Sequence, residues 1–209
     1  WLRCRAGLEG LIVDRLRALP GTDPRVLGSG RVQALLTSAL GDDGLRRIVQ
    51  GLRLWMGLGF PLPPLPLPTE GDEGERQQAM AARIVEALDG PVARALLSSY
   101  TRGQVRLRLD FPGGGHRRSL VWRCAELLRQ TCPHLHNDPT DSAWTVEIEE
   151  RGGRLQLSLW PRSLLDSRFD YRRGAVPASS HPTLAAALVE VAGVRPDDVV
   201  WDPFVGSGL

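Results

Sequence analysis

The last eleven residues, Val199-Val200-Trp201-Asp202-Pro203-Phe204-Val205-Gly206-Ser207-Gly208-Leu209, constrain this chain more than any others. An apolar run leaves the charged turn Arg195-Pro196-Asp197-Asp198, ends on an acid and gives way to a Gly-Ser-Gly loop. Such a run, bounded by turn signals, predicts a buried parallel strand over 199–201 that delivers a carboxylate to its C-terminal edge. In open α/β sheets that edge is where ligands sit. Gly206 and Gly208 leave no Cβ between backbone and ligand, and the carboxylate of Asp202 can accept hydrogen bonds from a cationic or hydroxyl-bearing cofactor. On the glycines alone, an ordinary strand-to-helix turn is an equally good reading.

Upstream, the pattern predicts a strand over 3–6 and a helix over 7–19, with apolar residues at 8, 11, 12, 16 and 19 and a stop at Pro20-Gly21. A strand over 31–38 follows. Asp42 and Asp43 can then cap a helix over 44–52. The apolar stretch 54–67 carries prolines 61, 63, 64 and 66. Proline cannot donate to a central ladder, so this reads as an edge strand running into an extended linker. The acidic stretch 69–78 reads as a mobile boundary. Strand-helix-strand-helix-strand suggests a ferredoxin-like module over residues 1–70.

The next segment opens with two helices over 77–98, broken at Gly90-Pro91. Residues 104–111 alternate, with Val105, Leu107, Leu109 and Phe111 on one face and Arg106, Arg108 and Asp110 on the other, which predicts a half-buried strand. Gly113-Gly114-Gly115 is a turn, and 119–131 is a helix with Leu120, Cys124, Leu127 and Leu128 inward. Two alternating strands, 144–148 and 155–159, join through Arg151-Gly152-Gly153. After the polar connector 161–177, a helix runs through Ala192. Pro182 suits its first turn, Ser180 or His181 its cap, and Gly193 its end. Its stripe of Leu184, Leu188 and Val191 is expected to pack on the strand at 199–201.

The formal net charge is only +2, which excludes a polycation, and all 26 basic residues other than histidine are arginine. Guanidinium groups grip phosphate bidentately and stack on bases. Arginines 102, 106, 108, 117, 118, 123 and 129, with His116, face only Asp110 and Glu126 within their own window, the electrostatic footprint of nucleic-acid binding. A solvated charged face is the plainer alternative. No apolar run approaches the ~20 residues of a membrane span, and no signal-peptide pattern opens the chain. Cysteines 4, 124 and 132 are odd in number and lack a CxxC spacing, which fits free thiols in the cytoplasm. Cys132-Pro133-His134-Leu135-His136 has no second ligand pair at zinc spacing, so no metal site is expected. Opening on tryptophan, the chain is expected to be a fragment cut at both ends.

Asp202-Pro203-Phe204-Val205-Gly206-Ser207-Gly208 resembles the Asp-Pro-Phe-x-Gly-Ser-Gly motif of Rossmann-like methyltransferases that use S-adenosylmethionine. Two groups carry it: RNA guanine-N2 methyltransferases with a THUMP domain, and some DNA amino-methyltransferases. Threonine usually follows the last glycine, where this chain has Leu209. Residues 176–188, with Pro182-Thr183-Leu184-Ala185, resemble the helix that precedes the first strand in the THUMP enzymes. Arg168-Phe169-Asp170-Tyr171-Arg172-Arg173 sits at their Arg-rich lead-in, and Gly7-Leu8-Glu9 is similar to the opening of the bacterial members. The match covers 162–209 well and the first 160 residues loosely.

The resemblance implies an α+β chain: a ferredoxin-like module (1–70), a THUMP-like RNA-binding domain (75–160), a linker (161–180) and the start of a Rossmann-like methyltransferase domain (181–209). It implies that Asp202, Pro203, Phe204, Gly206, Ser207 and Gly208 line the S-adenosylmethionine site, with Thr183 approaching it, while His181 is more naturally a helix cap. The RNA partner, tRNA or rRNA, would meet Arg106, Arg108, Arg117, Arg118, Arg123, Arg172 and Arg173. The family's target-amine motif (Asn or Asp, two prolines, an aromatic) comes later than this sequence reaches. No catalytic residue is therefore expected in these 209 residues, nor activity from them alone. The alternatives are a DNA adenine or cytosine amino-methyltransferase, and a non-catalytic RNA-binding protein for which Leu209 gives a foothold.

Overall fold

The computed structural model describes residues 1–37, 53–112, 117–162 and 180–203. They belong to two compact units, one from 1–58 with 164–209 and one from 59–163.

In the first unit, β1 (Leu2–Cys4), β2 (Thr22–Gly28), β3 (Arg31–Leu36) and β4 (Trp55–Leu58) form an antiparallel sheet in the order β2-β3-β1-β4. Helix α1 (Glu9–Arg17) packs over β2 and β3 and buries Ile12, Val13 and Leu16, and the same unit buries Leu2, Cys4 and Val32. The Glu9 carboxylate accepts from Gly7 N at 2.8 Å and Gly30 N at 2.5 Å, tying the helix start to the β2–β3 turn. Gly30 has φ +72°, and a Cβ there would lie 2.9 Å from the Cys4 carbonyl oxygen, so the turn requires glycine. The sequence reading placed no element at β2, which contains Pro24; as an edge strand it tolerates the missing donor. The helix expected over 44–52 lies outside the described residues, as does the glycine turn 113–115.

The proline-rich stretch divides. β4 edges the first sheet, while β5 (Phe60–Pro61) and β6 (Leu65–Pro66) pair with β10 (Arg154–Pro161) in the second unit. All three are edge strands, and β5 and β6 each carry a proline that a central position would not tolerate.

The second unit continues with α2 (Glu73–Asp89) and α3 (Pro91–Ser99). The acidic stretch expected as a mobile boundary is instead the start of α2. Asp72 accepts from Glu75 N at 2.9 Å and the Glu75 side chain accepts from Asp72 N at 2.9 Å, a capping box that satisfies two helix-end donors. The expected break holds: α2 stops at Gly90, and Pro91 occupies the first turn of α3.

Then come β7 (Val105–Asp110), α4 (Arg118–Thr131), β8 (Leu135–Asn137) and β9 (Trp144–Arg151). The sheet order is β5-β10-β9-β7-β8, with β6 also beside β10. β7 runs parallel to both β8 and β9, and β9 and β10 form a hairpin. Three-residue β8 sits at the far edge and has no alternation to betray it. Leu107, Trp144, Val146, Ile148, Leu155, Leu157 and Leu159 cluster with Ile84, Leu88, Leu97, Leu120, Cys124 and Leu128 of the helices, all nearly inaccessible. The Trp144 indole N–H donates to Thr101 Oγ1 at 2.6 Å, satisfying the polar atom of a fully buried ring. Among the described residues no helix is long and apolar enough to cross a membrane.

Candidate functional site

Helix α5 (Pro182–Ala192) introduces the carboxyl-terminal segment. His181 caps it: Nδ1 accepts from Thr183 N at 3.3 Å and lies 2.8 Å from Thr183 Oγ1. Thr183 is fully buried, with its hydroxyl engaged in that cap. Gly193, at φ +65°, ends the helix in the left-handed conformation. The Asp198 carboxylate accepts from Arg195 N at 2.8 Å and closes the charged turn.

Residues 199–201 do not form the expected strand. Val199 is 98%, Val200 65% and Trp201 83% exposed. No described strand pairs with this run, and an apolar sequence without a ladder partner has no strand to join. The stripe on α5 differs for the same reason: Leu184, Leu188 and Val191 are exposed, while Pro182, Thr183 and Ala187 face inward. Asp202 and Pro203 are exposed directly after the run. Phe204, Gly206, Ser207, Gly208, Arg172 and Arg173 lie outside the described residues.

The arginine face of the second unit is less positive than its own window of sequence. Arg106 pairs with Asp141, Arg117 with Glu150 and Arg129 with Glu126, and Arg108 lies 3.9 Å from Asp110. Arg123 donates to Gln78 Oε1 at 3.0 Å. Asp141 and Glu150 come from beyond the window and fold back against it. The turn that presents Asp141 is held by Asp138, whose carboxylate accepts from Asp141 N and Thr140 N at 2.9 and 3.0 Å. Those two backbone donors, the Asp141 N–H first, hold its carboxyl below the usual range. Among the described residues Arg102 and Arg118 make no ion pair.

Arg118 stands at a cavity of about 410 Å³ at the C-terminal end of β7, beside the end of β8 and the first turns of α4. Its lining includes Leu109, Asp110, Phe111, Arg117, Trp122 and Asn137, so a carboxylate faces the same space as the arginines. The Arg117 guanidinium lies 5.7 Å from the centre of the Phe111 ring. Trp122 is 67% exposed. The Asn137 side-chain oxygen is buried and makes no hydrogen bond among the described residues. Sequence reasoning missed Trp122 and Asn137. The first left a signal: position 122 falls off the inward stripe of 120, 124, 127 and 128, so a large aromatic had to face out.

Residues 170–209 match the family model described as UPF0020, RMKL-like, methyltransferase domain. No curated protein shows a significant match to the chain. Several solved structures do. One, from Listeria monocytogenes str. 4b F2365, is described as a predicted N6-adenine-specific DNA methylase; it is 18% identical at a TM-score of 0.59, over 99% of this chain and 51% of that one. TrmN from Thermus thermophilus is 26% identical at a TM-score of 0.57, over 93% and 54%. SMU.472, a candidate methyltransferase complexed with SAH, is 17% identical at a TM-score of 0.58, over 94% and 49%. The chain thus spans about half the length of the structures it matches and shares their mixed α/β fold.

Proposed function

We propose that these residues form the amino-terminal half of a cytoplasmic, S-adenosylmethionine-dependent RNA methyltransferase that makes N2-methylguanine in tRNA or rRNA. The match of residues 170–209 to a methyltransferase-domain family carries the reading. The resemblance of residues 176–188 and 202–208 to the THUMP-bearing RNA enzymes supports an RNA substrate. Read from β4, the first sheet runs 4-1-3-2, which supports a ferredoxin-like module, and residues 75–160 are taken as the THUMP-like RNA-binding part. The exposed apolar run 199–201 is the piece that a Rossmann-like sheet would bury in the longer protein.

The chemistry of the segment fits the cofactor. Asp202 offers an exposed carboxylate to its ammonium group, and Gly206 and Gly208 carry no side chain to obstruct it. Pro203, Phe204 and Ser207 complete the loop that would hold it, and Thr183 braces the segment through its cap. S-adenosylmethionine supplies an electrophilic methyl group; this segment's part is to bind and orient its carrier. These 209 residues alone are expected to transfer no methyl group.

The test uses the protein extended to the length of its structural relatives, with labelled S-adenosylmethionine and bulk RNA. Label in N2-methylguanine supports the reading. Label in DNA adenine or cytosine selects the amino-methyltransferase reading instead. For the cofactor site, Asp202→Asn removes a charge-assisted hydrogen bond of about 1.5–3 kcal/mol, so affinity should fall about tenfold to hundredfold by isothermal titration. Wild-type affinity in a folded variant would assign the carboxylate to helix capping, where asparagine serves as well.

A further inference from the structure

We propose that His181 is a positioning residue for the cofactor segment: its neutral imidazole, with the proton on Nε2, holds the start of α5, and protonation releases it. What α5 positions rests on the S-adenosylmethionine reading above; the proton-sensitive cap rests on geometry alone.

The cap has one acceptor and two donors. His181 Nδ1 accepts from Thr183 N at 3.3 Å and stands 2.8 Å from Thr183 Oγ1. A ring nitrogen accepts only when it carries no proton, so the cap selects the tautomer protonated at Nε2. In the doubly protonated ring Nδ1 becomes a donor. It can then keep the Thr183 hydroxyl as an acceptor, but the Thr183 amide is stranded. Thr183 has no exposed surface, so water cannot replace the lost partner, and an unmade bond there is costly. The positive end of the helix opposes an imidazolium at the same place. Serine, threonine or asparagine in the same role would not titrate. The one charged residue of α5, Glu190, is paired with Arg15 of α1 more than two turns from the cap.

Helix α5 depends on this end. Its buried residues are Pro182, Thr183 and Ala187, two of them in the first turn, while Leu184, Leu188 and Val191 face out. No acid occupies the first turn and no base the last, so side-chain charge does not support the helix through its dipole. From α5 the chain passes Gly193, whose N–H donates to the Glu190 carbonyl, and then the Arg195–Asp198 turn, on its way to Asp202. Fraying the first turn lifts the buried face from its seat, and with it the origin from which the Asp202 carboxylate is placed. The folded chain holds the neutral imidazole. The stabilisation is therefore present above the ordinary imidazole value of about 6.5 and fades as pH falls through it.

The experiment begins with the 209-residue protein. Long-range nitrogen–proton NMR of the ring at about pH 8 should show His181 protonated on Nε2 and bare on Nδ1. Between about pH 8 and about pH 5.5, the hydrogen-exchange protection factors of the Thr183, Leu184 and Ala185 amides should fall about twofold to thirtyfold. His181→Asn, which caps without titrating, should keep the high-pH protection throughout, and His181→Ala should lack it at both ends. In the protein extended to the length of its structural relatives, S-adenosylmethionine affinity by isothermal titration should fall with pH in the wild type and change less in His181→Asn. A proton on Nδ1 at about pH 8, or the same exchange profile in wild type and His181→Asn, overturns the proposal. Cofactor affinity with the same pH profile in both, while α5 loses protection only in the wild type, overturns the positioning role. If the extended protein binds no S-adenosylmethionine at any pH although the cap titrates, the cofactor reading fails and takes the positioning role with it, while the proton-sensitive cap stands.

Discussion

Gly59→Ala should destabilise the second unit through a single contact. A Cβ at residue 59 would lie 2.5 Å from Cε2, 2.6 Å from Cδ2 and 2.7 Å from Cζ2 of Trp160. Ordinary carbon contacts are about 3.5–4.0 Å, so the indole must retreat by about 1 Å. Trp160 is only 8% exposed and sits on β10, whose residues 158–161 are all buried, so the ring has little room to move. Overpacking of this kind costs about 1–3 kcal/mol, and the lower chain entropy of alanine offsets about 0.4–1 kcal/mol. A net loss of about 1–2 kcal/mol should lower the urea midpoint by about 0.5–1 M. The control is a double-mutant cycle. With Trp160→Val the ring is gone, and Gly59→Ala should become neutral or slightly stabilising. Equal destabilisation in both backgrounds would refute the steric account and place the cost in the backbone of residue 59.

Burial pushes the Cys124 thiol up to about 12, and burial followed by the nearby Glu9 charge pushes Cys4 up to about 11. Neither should form appreciable thiolate at about pH 8, so the folded protein should leave both unmodified by a thiol reagent that labels all three cysteines in guanidinium. Labelled Cys124 in peptides from the native protein would contradict this. Asp89 responds to acid. Its hydrogen bond from Arg94, whose Nη2 lies 2.6 Å away, is the main cause of a carboxyl pKa held below the usual range. A depressed folded-state pKa gives stability that is present above the unfolded value of about 3.9 and is lost as pH falls through the folded value. The stability gap between wild type and Arg94→Ala should therefore be constant near neutrality and close below about pH 4. Urea midpoints across that range measure it, and a gap unchanged at about pH 2 would refute the assignment.

Local signals were legible where one chain segment decides its own conformation. The break at Gly90-Pro91, the His181 cap, the alternation of β7 and the glycine hairpin of β9 and β10 are read directly from sequence because their determinants lie within a few residues. What failed depended on partners. Residues 199–201 carry a strand's composition, yet composition supplies no neighbour to bond with. The acidic stretch at 69–78 looked like a solvated boundary because its charge was summed. Its spacing, Asp72 three residues before Glu75, was the informative part. The arginine face shows the same limit on the side of function: a charge tally over residues 102–129 cannot see Asp141 and Glu150, which sequence keeps apart and the sheet brings close. Asn137 left no signal at all, since an unsatisfied oxygen is a property of the folded packing.

The pairing of β5 and β6 with β10 sets an order of events in time. The Pro64 carbonyl accepts from Arg154, 90 positions later, so residues 60–66 leave the ribosome long before their partner strand exists. At about 5–20 residues per second, they wait roughly 5–20 seconds as an apolar strand with an open edge. Such a segment is ordinarily an invitation to intermolecular pairing. Prolines at 61, 63, 64 and 66 strip it of donors, so a stranger finds little to zip onto. The β9–β10 hairpin, closed by a two-glycine turn, is local and can form first. The proline stretch is then expected to dock last, onto an acceptor already assembled, its scarcity of donors guarding it through the interval.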